Sequence, residues 1–67
     1  MYYKRLRELR EMHELPQKAV AGWLQIDQRV YSTYETGKRE IPSRYLSILA
    51  DYYQVSVDYI LEHTDKK

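Results

Sequence analysis

The sequence predicts an all-α fold, one compact domain of five short helices spanning residues 1–67. Three observations lead there. Apolar residues recur at helical spacing in successive short stretches, the period of a helix with one buried face. Residues suited to starting and stopping helices fall between those stretches, with Asp27 and Ser56 as N-caps and Gly37 as a stop. A length of 67 residues suffices for one domain with a modest core, which needs well-packed helices or a second copy to be firmly stable.

Residues 2–13 read as the first helix. Leu6 and Leu9 begin its apolar stripe and Met12 to Leu15 extend it, while Lys4, Arg5, Arg7, Glu8 and Glu11 alternate in sign on the solvated side. Pro16 sits at the start of the second helix, where its missing N–H costs nothing. Val20, Ala21 and Leu24 share one face of that helix. Gly22 in its interior costs about 1 kcal/mol relative to alanine. Gln25, Ile26 and Asp27 form a tight connection, and the Asp27 carboxylate can accept free N–H groups in the first turn of a third helix, residues 28–36. Val30, Tyr31 and Tyr34 face inward on it, and Gln28, Arg29, Ser32 and Thr33 form one polar face. The basic loop from Gly37 to Arg44 leads into a fourth helix, residues 43–53, with Leu46, Leu49, Ala50 and Tyr53 on its inner side. Val55 closes the next turn. Ser56 caps a fifth helix, residues 57–63, whose apolar positions are Val57, Ile60 and Leu61. Residues 64–67 read as a frayed tail.

The chain has eight tyrosines and one tryptophan but no phenylalanine. Tyrosine supplies ring area with a polar tip, which suits a thin core of half-exposed residues. Tyr31, Tyr34, Tyr53 and Tyr59 fit structural roles of this kind. Tyr2, Tyr3 and Tyr52 have no clear inward role and suit a partner interface. Net charge is only +1, but residues 1–44 hold nine Lys/Arg against six Asp/Glu, and residues 45–67 hold two against four. Positive potential therefore gathers around the second and third helices. With no cysteine there is no disulfide framework and no thiolate metal site. No charged-then-apolar leader is visible, and no apolar run approaches the about eighteen residues of a membrane span. A soluble protein of the cytoplasm is expected.

Two short helices meeting at a sharp turn, the second bearing a row of hydrogen-bonding side chains, make a helix-turn-helix. The second helix has the diameter to enter the DNA major groove. The run Leu15-Pro16-Gln17, then Val20-Ala21, Leu24-Gln25-Ile26, Gln28, Tyr31-Ser32, Tyr34-Glu35 and Gly37-Lys38-Arg39, closing with the stretch from Leu49 to Leu61, resembles the lambda-repressor-like, Cro-type helix-turn-helix regulators of the xenobiotic response element type. The likeness runs roughly from Leu6 to Thr64. It implies a DNA-binding transcriptional regulator, acting as a repressor, with its helix-turn-helix in the second and third helices. It also implies that Arg10 pairs with Glu35; removing one member of such a buried pair strands the other, at about 3–5 kcal/mol. The family places the dimer interface in the fifth helix or its tail, where Tyr59, Ile60 and His63 lie. Two positions depart from the pattern. Pro16 stands where a Ser or Thr cap is usual, and Gln25 stands where the family commonly has glycine, so a left-handed Gln25 would cost about 1–2 kcal/mol.

The expected chemistry is binding of double-stranded DNA. The N-terminus of the second helix presents N–H groups and a positive dipole end to a phosphate. Gln17 stands there and can add a side-chain contact, a role the resemblance also implies. Lys38, Arg39 and Arg44 are candidate phosphate contacts on the other side of the recognition helix. Base edges would be read by Gln28, suited to adenine, by Arg29, suited to bidentate pairing with guanine, and by Ser32 and Thr33, which suit several bases. Arg29 is the foremost base reader. One such motif covers few base pairs, so a homodimer on two half-sites about one helical turn apart is expected. An enzyme is not expected. His13 and His63 lie near predicted helix ends, where the dipole accounts for them, and no metal-ligand spacing or nucleotide-binding glycine loop occurs. No cofactor, metal or small-molecule ligand is implied. The competing reading is an antitoxin or adaptor module whose main partner is another protein, such as a toxin.

Overall fold

A computed structural model describes residues 3–67. Five helices follow one another: α1 Lys4–Met12, α2 Gln17–Leu24, α3 Gln28–Glu35, α4 Ser43–Tyr53 and α5 Val57–Ile60. No strand occurs among the described residues, as the sequence predicts. Tyr2 lies outside the described residues. Leu6, Leu9, Val20, Ala21, Leu24, Tyr31, Leu46, Leu49 and Tyr53 meet in one core, each from the expected inner face of its helix, and Ile60 joins them.

Two further core residues correct the sequence reading. The first helix begins at Lys4 rather than residue 2, so Tyr3 precedes it, accepts a hydrogen bond from Leu6 N at 3.0 Å, and turns its ring into the core instead of outward. Ile41, in the loop before α4, is also buried. Conversely, Met12 stays 59% exposed because α1 ends there and the chain reverses before it can pack.

The helix endings share one turn geometry. α1, α2, α4 and α5 are each followed by a left-handed residue, respectively Glu14, Gln25, Gln54 and Glu62. The two amides that close each turn reach back in the same way. Gln25 N donates to Gly22 O and Ile26 N to Ala21 O; Gln54 N donates to Asp51 O and Val55 N to Ala50 O. This is the Schellman pattern, which satisfies the last carbonyls of a helix and folds the next apolar residue back onto it. Leu15, Ile26 and Val55 are those apolar residues, each packed against the core. Glycine would do the same without the cost of about 1–2 kcal/mol that a Cβ brings to left-handed backbone. The four turns therefore make the domain softer than it need be. At α3 the corresponding left-handed residue is Gly37, at φ 82°.

N-termini follow the expected caps. Asp27 Oδ1 accepts from Arg29 N at 2.7 Å, and Ser56 Oγ accepts from Tyr59 N at 2.9 Å. Pro16 and Pro42 precede α2 and α4 without any side-chain cap. The fifth helix is a single turn that stops at Ile60, short of residue 63. Arg5 ties α5 to the stretch expected to fray: its Nη1 donates to Tyr59 O at 2.7 Å and to Thr64 O at 2.6 Å, and its Nη2 meets Asp65 Oδ1 at 2.9 Å. The Arg5 guanidinium also lies over the Tyr59 ring at 4.2 Å. An aromatic row runs across the junction of α1, α2 and α4. Trp23 stacks on Tyr52 at 4.3 Å and 5° and meets Tyr53 edge-on, while His13 sits 5.3 Å from Tyr53.

Candidate nucleic-acid interface

The turn Gln25–Asp27 brings α3 across α2, and its sharpness comes from the left-handed Gln25. Ala21, small and buried, lets the two helices approach. With Val30, Tyr31 and Tyr34 committed to the interior side, the remaining face of α3 looks outward. It lines an open groove of about 550 Å³ whose walls are Gln17, Asp27, Gln28, Arg29, Ser32, Thr33, Thr36 and Lys38.

All four candidate base readers, Gln28, Arg29, Ser32 and Thr33, line this groove, together with Gln17 and Lys38 from the candidate phosphate set. Arg39 and Arg44 are exposed outside it. The Arg44 guanidinium lies 4.7 Å over the Tyr45 ring, so its charge is held beside α4. Gln28 and Arg29 are exposed; Ser32 and Thr33 are half-buried at the groove floor.

The hydroxyls are more restricted than residue type alone suggests. Thr33 Oγ1 donates to Val30 O at 2.6 Å, and Thr36 Oγ1 donates to Ser32 O at 2.8 Å. Each then offers a partner only oxygen lone pairs and a methyl group. Thr36 is a groove residue that the sequence reading passes over. Its place four residues after Ser32, on the same helix face, is the signal for it. Asp27 also lines the groove, but its carboxylate is engaged in capping α3.

Directly behind the groove lies a buried ionic cluster. Arg10 grips Glu35 with two parallel bonds, Nε to Oε2 at 3.0 Å and Nη2 to Oε1 at 2.8 Å, while Nη1 donates to Leu15 O at 2.8 Å. Glu35 is 3% exposed. Gln17 Nε2 also donates to Glu35 Oε1, at 3.3 Å. Burial alone would push the Glu35 carboxyl up. The bonds from Arg10 and Gln17, the nearby Tyr31 hydroxyl and the Arg10 charge outweigh that and hold it below its ordinary value. The bond to Glu35 raises Arg10, against the effect of desolvation. The Tyr31 hydroxyl is buried beside Glu35, and the Tyr53 hydroxyl is buried without a hydrogen-bond partner among the described residues. Burial, reinforced by the Glu35 charge, pushes both up, Tyr53 to about 12.

The three residues expected at a dimer interface do not form one exposed surface. Ile60 is 0% exposed within the single chain and belongs to the core, which removes it from any surface reading. Tyr59 is half-buried under Arg5. His63 is exposed, with Nδ1 3.8 Å from Asp58 Oδ1.

Residues 4–61 match the family described as "Helix-turn-helix domain". The chain is 45% identical over 65 residues to the "Uncharacterized HTH-type transcriptional regulator YobD" of Bacillus subtilis (strain 168), an alignment covering 97% of this chain and 58% of that protein. It is 32% identical over 62 residues to the "Uncharacterized HTH-type transcriptional regulator YqaE" of the same organism, covering 92% of this chain and 53% of that protein. The chain thus spans little more than half the length of these relatives. No solved structure gives a significant match.

Proposed function

Since the chain belongs to the helix-turn-helix domain family, we propose that it is a sequence-specific DNA-binding transcriptional regulator that inserts α3 into the major groove and acts as a homodimeric repressor in the cytoplasm. The observation that carries this reading is the groove, where Gln28, Arg29, Ser32 and Thr33 converge with Lys38 at the rim and Gln17 at the start of α2. The relatives' description as transcriptional regulators supports the same reading.

Affinity comes from phosphates and specificity from base edges. The first turn of α2 has no side-chain cap, so its N–H groups and dipole are available to a phosphate oxygen. Lys38 and Arg39 take phosphates across the groove, and Arg44 takes one farther out. Between them, Arg29 reads guanine through its O6 and N7 atoms and Gln28 reads adenine. Thr33 and Thr36, whose protons are used within the helix, accept from a base amino group or touch a thymine methyl. Two copies bound to half-sites about one helical turn apart would cover a promoter and block it. The contact between copies is formed by exposed surface, with His63 and the outer edge of Tyr59 as its nearest candidates. No reaction is proposed.

The phosphate roles are tested by salt. Each phosphate contact contributes about 0.9 to the slope of log affinity against log salt concentration. Lys38→Ala with Arg39→Ala should therefore make that slope shallower by about 1.8 on a duplex of any sequence. An unchanged slope removes both residues from the phosphate set.

A further inference from the structure

We propose that Glu35, held by Arg10, is a positioning residue for DNA binding: it fixes the Gln17 side-chain amide at the mouth of the groove before DNA arrives. This rests on the DNA-binding reading above and specifies how one contact is made. A glutamine amide has two N–H donors and a carbonyl acceptor. One donor of Gln17 is spent on Glu35 Oε1 at 3.3 Å. The other donor and the carbonyl remain on a side chain that lines the groove. A free glutamine loses much rotamer freedom when it is fixed, among the larger such losses of any side chain. Here most of that loss occurs on folding, because the acceptor is itself immobile. Oε1 also receives Arg10 Nη2 at 2.8 Å, and Arg10 is anchored to Leu15 O.

Arg10 has a second effect. A bare buried carboxylate behind a phosphate site would repel the phosphate. Paired at 2.8 Å with a guanidinium, Glu35 supplies an acceptor for Gln17 with little net charge toward the DNA. The linkage joins three elements, α1 through Arg10, α2 through Gln17 and α3 through Glu35. The ion pair therefore fixes the recognition helix and the phosphate contact of α2 in one register.

The test is a double-mutant cycle in DNA affinity at fixed salt. Gln17→Ala is made in the wild-type chain and in a chain carrying Arg10→Met with Glu35→Leu, an apolar replacement of a kind that commonly leaves folding intact. In the wild-type chain, Gln17→Ala should weaken binding about tenfold, ~1.4 kcal/mol. In the apolar background, binding is already weaker by a similar factor, and Gln17→Ala should add no more than about twofold. Equal tenfold losses in both backgrounds would overturn the positioning role while leaving the Gln17 contact standing. No loss in the wild-type chain would remove the contact and the positioning role together. Should the apolar variant fail to fold, side-chain amide relaxation by NMR on the unmodified protein decides. The Gln17 amide should be rigid in the free protein and the exposed Gln28 amide mobile. Equal mobility of the two would overturn the proposal.

Discussion

Replacing Glu35 by alanine should destabilise the domain by about 3–5 kcal/mol. A chain of this length has about 3–10 kcal/mol of stability in total, so the variant should be partly or fully unfolded at 37 °C. The cost arises because Arg10, whose side chain is only 14% exposed, loses its bidentate partner and has little access to water in its place. Arg10→Ala should cost a similar amount by leaving the Glu35 carboxylate alone at 3% exposure. Removing both with apolar residues of similar volume should cost far less than either single change, since a buried pair need not be net stabilising. Urea unfolding of the three variants is the measurement, and a loss below about 1 kcal/mol for Glu35→Ala would contradict the account.

The same pair gives acid sensitivity of definite sign. The Glu35 carboxyl is held below its ordinary value in the folded protein. Its contribution is therefore complete above the unfolded carboxylate value, about 4.3, and is lost as pH falls through the lower folded value. In the Arg10→Met, Glu35→Leu chain this part of the acid limb should be absent.

Arg29→Ala should remove most of the sequence preference while leaving most non-specific binding. A bidentate arginine–guanine contact discriminates by about 1–3 kcal/mol, roughly fivefold to 150-fold. The residue is suited to it by position. Its backbone N–H is fixed by Asp27 at 2.7 Å, at the first turn of α3, while its side chain stays exposed on the groove wall. Non-specific affinity should fall only by the loss of one positive charge. Competition binding with a preferred and a scrambled duplex separates the two effects, and an equal fall on both duplexes would refute the base-reading role.

Much of this architecture is legible from residue order. Asp27 and Pro42-Ser43 mark helix starts plainly enough that α3 and α4 begin where expected, at Gln28 and Ser43. Gly37 marks an end in the same direct way. The other ends are harder to read. Glu14, Gln54 and Glu62 are left-handed, yet none is a glycine, and their sequence mark is only the residue that follows each turn. Gln25 is readable because a known family places glycine there. Tyr3 and Ile41 escape prediction because they lie outside any helical period, where burial depends on tertiary placement rather than spacing. Ile60 shows the opposite difficulty. Its place in the fifth helix matches both an interface and a core residue, and only the packing of α5 against α1 and α4 decides for the core. At the groove, residue types single out Gln28 and Arg29 directly as candidates. The direction of the Thr33 and Thr36 hydroxyl protons, and the use of Gln17 by Glu35, are set by the tertiary fold.

In the function proposed above, the groove face of α3 reads DNA sequence as part of a dimer. Selection from a random duplex pool with the purified 67-residue chain, at about physiological ionic strength (~0.15 M), tests it most directly. The expected result is enrichment of an inverted repeat whose half-sites lie about one helical turn apart, with guanine at the position that Arg29→Ala no longer discriminates. A pool that stays random above competitor DNA would contradict it and would turn attention to a protein partner for this domain.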